Sequence, residues 1–505
     1  MTSGRTFETL LAPTRGDAVA ISAPDAKPLT YDGLRALVAK TIAALNDFGV
    51  GRGDRVAIVL PNGPEIATAF IAIASGAVSA PLNPGYRADE FEFYLSDLGA
   101  KALVVEAGGA SPAVDAAKKL GIAVLTLTPD ANAGAGSFTL SGGRQGAAAR
   151  PGFASPEDIA LILHTSGTTS RPKIVPLSQH NVATSADNIA RTLEFSEADR
   201  GLNIMPLFHI HGLIAGLLAP LSRGGSVYCT PGFNALKFFA AMEAARPNWY
   251  TAVPTMHQAI LTRAAQNKDV IARHPLRFIR SSSSSLPPQV IAELEATFHA
   301  PVIEAYGMTE ASHQMASNPL HGVRKPGSVG LAAGPEVAIM DEAGNLLPAN
   351  EIGEIVIRGD NVTGGYESNP KANAESFTNG WFRTGDQGVK DADGYISLTG
   401  RLKEIINRGG EKVSPREVDE ALMDHPAVLQ VVTFAVPHDK LGEDVAAAVV
   451  LREGATVSEQ ELRSFLSTKL AAFKTPRKIL FLGEIPKGAT GKLQRIGLAQ
   501  KLGLA

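Results

Sequence analysis

Several short runs in this chain carry residue types suited to work on phosphates and carboxylates. Thr165-Ser-Gly-Thr-Thr-Ser-Arg-Pro-Lys173 combines hydroxyls and backbone N–H groups with one glycine and a closing lysine. It directly follows the apolar stretch Ile159-Ala-Leu-Ile-Leu163. A donor-rich loop leaving a buried strand can wrap phosphate oxygens. It is not a Walker A loop, because the lysine stands too far from Gly167 and no Ser or Thr follows it. Ala305-Tyr-Gly-Met-Thr-Glu310 places an aromatic ring, a hydroxyl and a carboxylate close together; alone, it reads equally as a glycine turn and a helix start. Arg280-Ser-Ser-Ser-Ser-Ser-Leu-Pro287 and Pro206-Leu-Phe-His-Ile-His-Gly212, with His313 further on, supply hydroxyls and imidazoles. If these converge on one pocket, they suit a small, doubly charged acid.

The elements that must position these runs are legible from apolar periodicity. Arg55–Leu60, Val78–Leu82, Ala102–Val105 and Ile122–Leu127 read as buried strands, with helices at Glu65–Ser75 and Val114–Leu120 between them. Strand–helix alternation implies an α/β domain with a largely parallel sheet. Residues 128–156, rich in Gly, Ala, Ser and Pro, read as a surface loop, after which the alternation resumes to about Glu310. From Gly330 to Leu398 short apolar runs alternate with Gly-, Asp- and Asn-rich turns, the pattern of a small β-rich subdomain. Beyond Gly400 a separate α+β pattern begins, with Ser414-Pro415 reading as a helix start in which Ser caps and Pro takes the first turn. The expected organisation is an N-terminal domain over 1–400 with its β-rich part at about 330–400, a boundary at 401–403, and a C-terminal domain over 404–505.

Length and composition bound the function. A chain of 505 residues with 45% hydrophobic content forms two or more cored domains. A formal net charge of −3 gives no basic face for nucleic acid. The single cysteine, Cys229, excludes intrachain disulfides and a cysteine-rich metal site. Met1–Arg15 has no signal-peptide character, and the ending Lys501-Leu-Gly-Leu-Ala505 is not a peroxisomal tripeptide. The uncharged stretch Ile66–Tyr86 is broken by Gly76, Pro81, Asn83 and Pro84, so it reads as a buried helix and strand rather than a membrane span. A soluble cytoplasmic protein without membrane insertion is expected; nothing in the sequence sets its oligomeric state.

Taken in order, the motifs resemble the superfamily of acyl-CoA synthetases, luciferases and peptide-synthetase adenylation domains, over about Leu29 to Leu493. The Thr165–Lys173 run is similar to that family's phosphate loop, with Ser170 where Gly is usual. Ser170-Arg-Pro-Lys173, together with Ser312-His313 and Ser317-Asn318-Pro319, resembles the oxalate–CoA ligase branch. The resemblance implies that Thr165, Ser166, Gly167, Thr168, Thr169 and Lys173 bind the phosphates of ATP. It implies that Ala305, Tyr306 and Gly307 line the adenine, with Tyr306 stacking on it, that Thr309 holds the α-phosphate, and that Glu310 binds Mg²⁺. The serine run takes the place of a loop beside the adenine and acyl pocket, which assigns Ser283 and Ser284 to it. Asp386, in Trp381-Phe-Arg-Thr-Gly-Asp386, and Arg401 would clamp the ribose. Lys403, in Gly400-Arg-Leu-Lys403, would be the hinge of a rotating C-terminal domain. Gly409 and Gly410 would line the coenzyme A tunnel, where side chains would block the passage. Lys492, in Pro486-Lys-Gly-Ala-Thr-Gly-Lys492, would contact the attacking carboxylate and the α-phosphate. His209 would be the gate beside the acyl site.

The reaction so implied makes a mixed anhydride from a carboxylate and ATP, then passes the acyl group to coenzyme A. The carboxylate is already ionised, so the protein positions two anions and offsets their charge, without a general base. His209, His211, His313 and Ser283 favour oxalate as the acid. Malonate, a short or aromatic monocarboxylate served by Phe208 and Ile210, or loading of a carrier protein are the alternatives. No carrier segment follows Lys492, which disfavours the last. A luciferase-like oxygenase lacks support, and a dead relative would have lost Glu310, Asp386 or Lys492.

Overall fold

The computed structural model describes residues 4–143, 145–165, 172–486 and 493–505. Its backbone is mixed α/β, built on four sheets. The largest has nine strands, in spatial order Leu331–Ala332, His313–Ser317, Val302–Met308, Phe278–Ser282, Trp249–Ala252, Arg200–Asn203, Ser226–Cys229, Val19–Ser22 and Leu29–Thr30. Val302–Met308 through Val19–Ser22 pair in parallel, and antiparallel strands close both edges. A seven-stranded sheet runs Phe138–Gly142, Ala123–Pro129, Ala102–Glu106, Arg55–Val59, Val78–Pro81, Ile159–Thr165 and Lys173–Ser178. Its inner strands are also parallel.

The uncharged stretch after Pro64 resolves into helix Pro64–Ala74 and strand Val78–Pro81. Every helix residue from Ile66 to Ala74 is buried, so the absence of charge reflects a core helix wrapped by protein on all sides. Among the described residues no helix is long and apolar enough to cross a membrane. The stretch 128–156 is not all loop. Phe138–Gly142 is an edge strand antiparallel to Ala123–Pro129, held by Phe138, which is buried. One buried aromatic amid glycines and serines leaves too short an alternation to be seen in the sequence.

The β-rich segment forms a five-stranded antiparallel sheet in which Trp381–Lys390 pairs with Ile352–Arg358, Phe377–Thr378 and Ile396–Arg401. The last sheet, also of five strands, contains Ile406–Arg408, Glu411–Val413, Val428–His438, Gly442–Leu451 and Lys478–Phe481. Helix Pro415–Met423 starts where Ser414-Pro415 predicts, but the Ser414 hydroxyl does not cap it. It donates instead to the Thr399 carbonyl, tying the helix start to strand Ile396–Arg401.

Candidate active site

The site lies at the carboxyl ends of adjacent parallel strands of the large sheet, where open α/β sheets bind ligands. Thr251 in Trp249–Ala252 is the cross-strand partner of Arg280 in Phe278–Ser282, and the pairing Ser282↔Ala305 brings Ser283, just past that strand, level with Tyr306 in Val302–Met308. The chain then turns through a short 3₁₀ helix, Thr309–Ala311, and returns antiparallel as His313–Ser317. This return is unusually close. A Cβ on Gly307 would lie 1.8 Å from the His313 carbonyl oxygen, so only glycine fits. A bulge between Tyr306 and Gly307 re-aims the strand end. Three non-glycine residues at the site, Ser283 (φ 77°), Ser312 (φ 50°) and His313 (φ 101°), occupy the left-handed region. Such backbone costs on the order of 1–3 kcal/mol per residue and persists where the surroundings over-determine it.

Three groups of side chains assemble. In the first, Tyr306 donates its hydroxyl to Asp386 Oδ2 at 2.5 Å, and Arg401 Nε donates to Asp386 Oδ1 at 2.7 Å. Asp386 and Arg401 face each other across the ladder of the β-rich sheet, so this contact joins that sheet to the large one. Burial, then the Asp386 charge, raises the Tyr306 phenol well above its ordinary range, and Asp386 raises Arg401 in turn.

The second group centres on Glu310, which is buried at the turn. Tyr366 donates to Glu310 Oε1 at 2.8 Å, and the Lys173 ammonium sits 4.1 Å from the centre of the Tyr366 ring. Burial pushes the Glu310 carboxyl above the usual carboxylate range, with the Tyr366 hydroxyl and Lys173 opposing. Burial likewise lowers Lys173, with Glu310 opposing and the Lys403 charge adding to the fall. Lys173 and Thr165 are antiparallel cross-strand partners at the edge of the seven-stranded sheet. A connecting segment stitches this hairpin to the Glu310 turn. Asn361 Nδ2 donates to the Ala311 and Gln314 carbonyls, the Thr363 amide to the Glu310 carbonyl at 2.7 Å, and the Thr363 hydroxyl to the Pro176 carbonyl at 2.8 Å. Glu367 then pairs with Arg55 through both carboxylate oxygens.

The third group is buried beside the second. The His211 and His313 rings stack with centroids 4.9 Å apart, and both residues are almost fully buried. His211 Nδ1 lies 3.0 Å from Ser283 Oγ, and its Nε2 2.6 Å from Thr251 Oγ1 and 3.2 Å from Arg280 Nη1. His211 opens a π-helix, His211–Leu218, a widened turn that recurs at functional sites. His209 precedes it, half-buried, with its Nδ1 accepting the His211 amide at 3.3 Å.

Other expected residues lie apart. Ser281 and Ser282 are buried in a strand, the Ser282 hydroxyl donating to the Ala305 carbonyl at 2.8 Å, whereas Ser284 is exposed. Gly409 and Gly410 form a two-residue hairpin turn between Ile406–Arg408 and Glu411–Val413. Both have positive φ, which that turn demands. Ser166, Gly167, Thr168, Thr169 and Lys492 fall outside the described residues. Tyr366, Thr251 and Gln314 were not anticipated. The one signal for Tyr366 is an aromatic after Gly364-Gly365, too common to stand out.

Comparison with known proteins accords with this geometry. The model of the AMP-binding enzyme family matches residues 10–367, and that of the AMP-binding enzyme C-terminal domain matches 417–492. The chain belongs to the AMP-binding enzyme family. It is 47% identical over 492 residues to an oxalate–CoA ligase of Arabidopsis thaliana, covering 96% of this chain and 95% of that one. An oxalate–CoA ligase of Saccharomyces cerevisiae is 44% identical over 477 residues, covering 89% and 87%. The crystal structure of ATP-bound MatB from Rhodopseudomonas palustris superposes with a TM-score of 0.87 at 31% identity, covering 98% of each chain. Acid–CoA ligation through an acyl-adenylate, with ATP and coenzyme A as co-substrates, is the activity of this family's CoA ligases, in accord with the motif order in the sequence.

Proposed function

We propose that this chain is an ATP-dependent oxalate–CoA ligase. The observation that carries the proposal is the group of buried His211 and His313 with half-buried Ser283, over buried Arg280, at strand ends next to the Glu310 turn. An apolar acyl pocket would leave the second carboxylate of oxalate without a partner, at a cost of several kcal/mol. Imidazole and hydroxyl donors backed by a guanidinium remove that cost. The kinship with two oxalate–CoA ligases supports the same reading.

In this reading Asp386 and Arg401 hold the ribose, and Ala305, Tyr306 and Gly307 border the adenine. Thr309 holds the α-phosphate, and Thr165 to Thr169 with Lys173 hold the outer phosphates. One oxalate carboxylate attacks the α-phosphorus and pyrophosphate leaves. Lys492 offsets charge on the attacking oxygen and on the phosphorus during this step. The coenzyme A sulfur then attacks the acyl carbon and AMP leaves. Rotation at Lys403, between domains 1–400 and 404–505, exchanges Lys492 for the Gly409-Gly410 turn, and His209 gates the acyl site. The enzyme works in the cytoplasm.

Glu310 fits a Mg²⁺ ion. It is a hard oxygen donor, buried, with one carboxylate oxygen engaged by Tyr366. Among the described residues no group of three or more His, Cys, Asp or Glu could enclose a metal, so the ion would take its other ligands from phosphates and water. When bound, it neutralises phosphate charge.

The test is pyrophosphate release by the purified protein across a panel of acids, with the thioester product identified by mass. Oxalate should exceed acetate, butyrate, malonate and benzoate, and His313→Ala or Ser283→Ala should sharply reduce its turnover. Preference for benzoate or butyrate would overturn the substrate while leaving adenylation intact.

A further inference from the structure

Arg280 is a charged side chain with no exposed surface. Among the described residues its guanidinium meets His211 Nε2 at 3.2 Å, Thr251 Oγ1 at 3.5 Å and Gln314 Oε1 at 3.2 Å. No carboxylate pairs with it among the described residues. Burial lowers it to about 9, which leaves it protonated at neutral pH. A buried, unpaired cation is costly and calls for an anion.

The neighbours specify how that charge is relayed. Guanidinium nitrogens only donate, so His211 Nε2 must present its lone pair to Arg280. The Thr251 hydroxyl, 2.6 Å from the same nitrogen and 3.5 Å from Arg280 Nη1, shares that one lone pair as a second, three-centre donor. The imidazole proton of a neutral His211 therefore sits on Nδ1, which faces Ser283 Oγ at 3.0 Å. Ser283 accepts there, which frees its own O–H to donate onward. Gln314 cannot reverse the arrangement. Its amide nitrogen is engaged by Thr192 Oγ1 and the Ala333 carbonyl, at 3.2 and 3.1 Å, which turns its oxygen to Arg280.

We propose that Arg280 is a positioning residue that fixes the direction of a donor relay, Arg280 to His211 to Ser283, ending on the carboxylate of the substrate that is not adenylated. The guanidinium finds its counter-charge only when that carboxylate arrives. The proposal rests on the reading of the substrate as a small dicarboxylate.

The test has two arms. In the first, two-bond ¹H–¹⁵N spectra of ¹⁵N-histidine-labelled protein, with His211→Asn for assignment, report the tautomer without any substrate. The relay requires the proton on Nδ1 in the native protein and loss of that pattern in Arg280→Met. In the second arm, steady-state kinetics should show KM for oxalate rising about 10–100-fold in Arg280→Met, the loss of one hydrogen bond to a charged group. KM for ATP should stay within about twofold, since that site is built from other residues. Arg280→Lys should recover part of the loss. If Arg280→Met does not fold, Thr251→Val, which removes the second donor to Nε2, should raise the oxalate KM with the same selectivity. A proton on Nε2, or a parallel rise in both KM values, overturns the relay. An Nδ1 proton in an enzyme that rejects oxalate upholds the relay and sinks the substrate reading instead.

Discussion

Replacing Gly307 by alanine tests whether the close return of the chain behind Glu310 sets the geometry of the acyl pocket. The added Cβ would meet the His313 carbonyl oxygen at 1.8 Å and the carbonyl carbon at 2.6 Å. That oxygen contact is about 1.2 Å inside the 3.0 Å below which real Cβ contacts essentially vanish. The clashing atoms are backbone, so no side-chain rotation relieves them. Strand His313–Ser317 must move outward, carrying His313 away from His211 and dragging the Thr309–Ala311 turn with it. Overpacking of this kind costs about 1–3 kcal/mol of stability. A displacement of about 1 Å in a positioned group costs on the order of 10²-fold in rate, or about 2.7 kcal/mol of barrier. The assay is oxalate-dependent exchange of pyrophosphate into ATP, with melting temperature followed in parallel. The kcat/KM for oxalate should fall about 10²-fold in a protein that still folds. Gly364→Ala, whose new Cβ meets nothing within 4 Å, is the control and should behave as wild type. Gly307→Ala with exchange within twofold of wild type would refute the reasoning.

Tyr366→Phe removes the donor to Glu310 Oε1, an interaction worth about 1.5–3 kcal/mol. Burial already raises Glu310, so its ionised fraction falls at a higher pH than for an ordinary carboxylate. Loss of the opposing hydroxyl should move the acid limb of the exchange-rate profile further up in pH, and an unmoved limb would count against Glu310 as the ionising group. Lys492→Ala should abolish acyl-AMP formation yet spare thioester formation from synthetic oxalyl-AMP; equal loss in both half-reactions would assign the lysine another role. Lys403→Pro should leave adenylation intact and slow coenzyme A transfer, because a hinge must change its backbone angles between states. Transfer at the wild-type rate would place the pivot elsewhere.

Much was set by the sequence alone, where local rules suffice. The strands and helices around Arg55, Glu65, Val78 and Ile159 follow from apolar runs and Gly/Pro breaks, since burial on both faces leaves no other composition open. The Thr165–Lys173 run, the Tyr306–Glu310 run and the pair Asp386–Arg401 pointed to the family through their order along the chain, and the family is what the comparisons show. Tertiary structure decided what those residues touch. Ser414 has the residue type and position of a helix cap, yet a carbonyl from a neighbouring strand claims its hydroxyl. Tyr366 joins Lys173 to Glu310 only because the 361–367 segment is laced across two sheets, through bonds between residues far apart in sequence. Arg280 opens a serine run that reads as a polar loop, but the strand Phe278–Ser282 carries it into the interior. Its meaning depends on His211, Thr251 and Gln314, which arrive from three other elements. Periodicity and motif spacing report which face of an element is buried; a buried polar contact also needs the partner, and the partner is set by how the sheets pack.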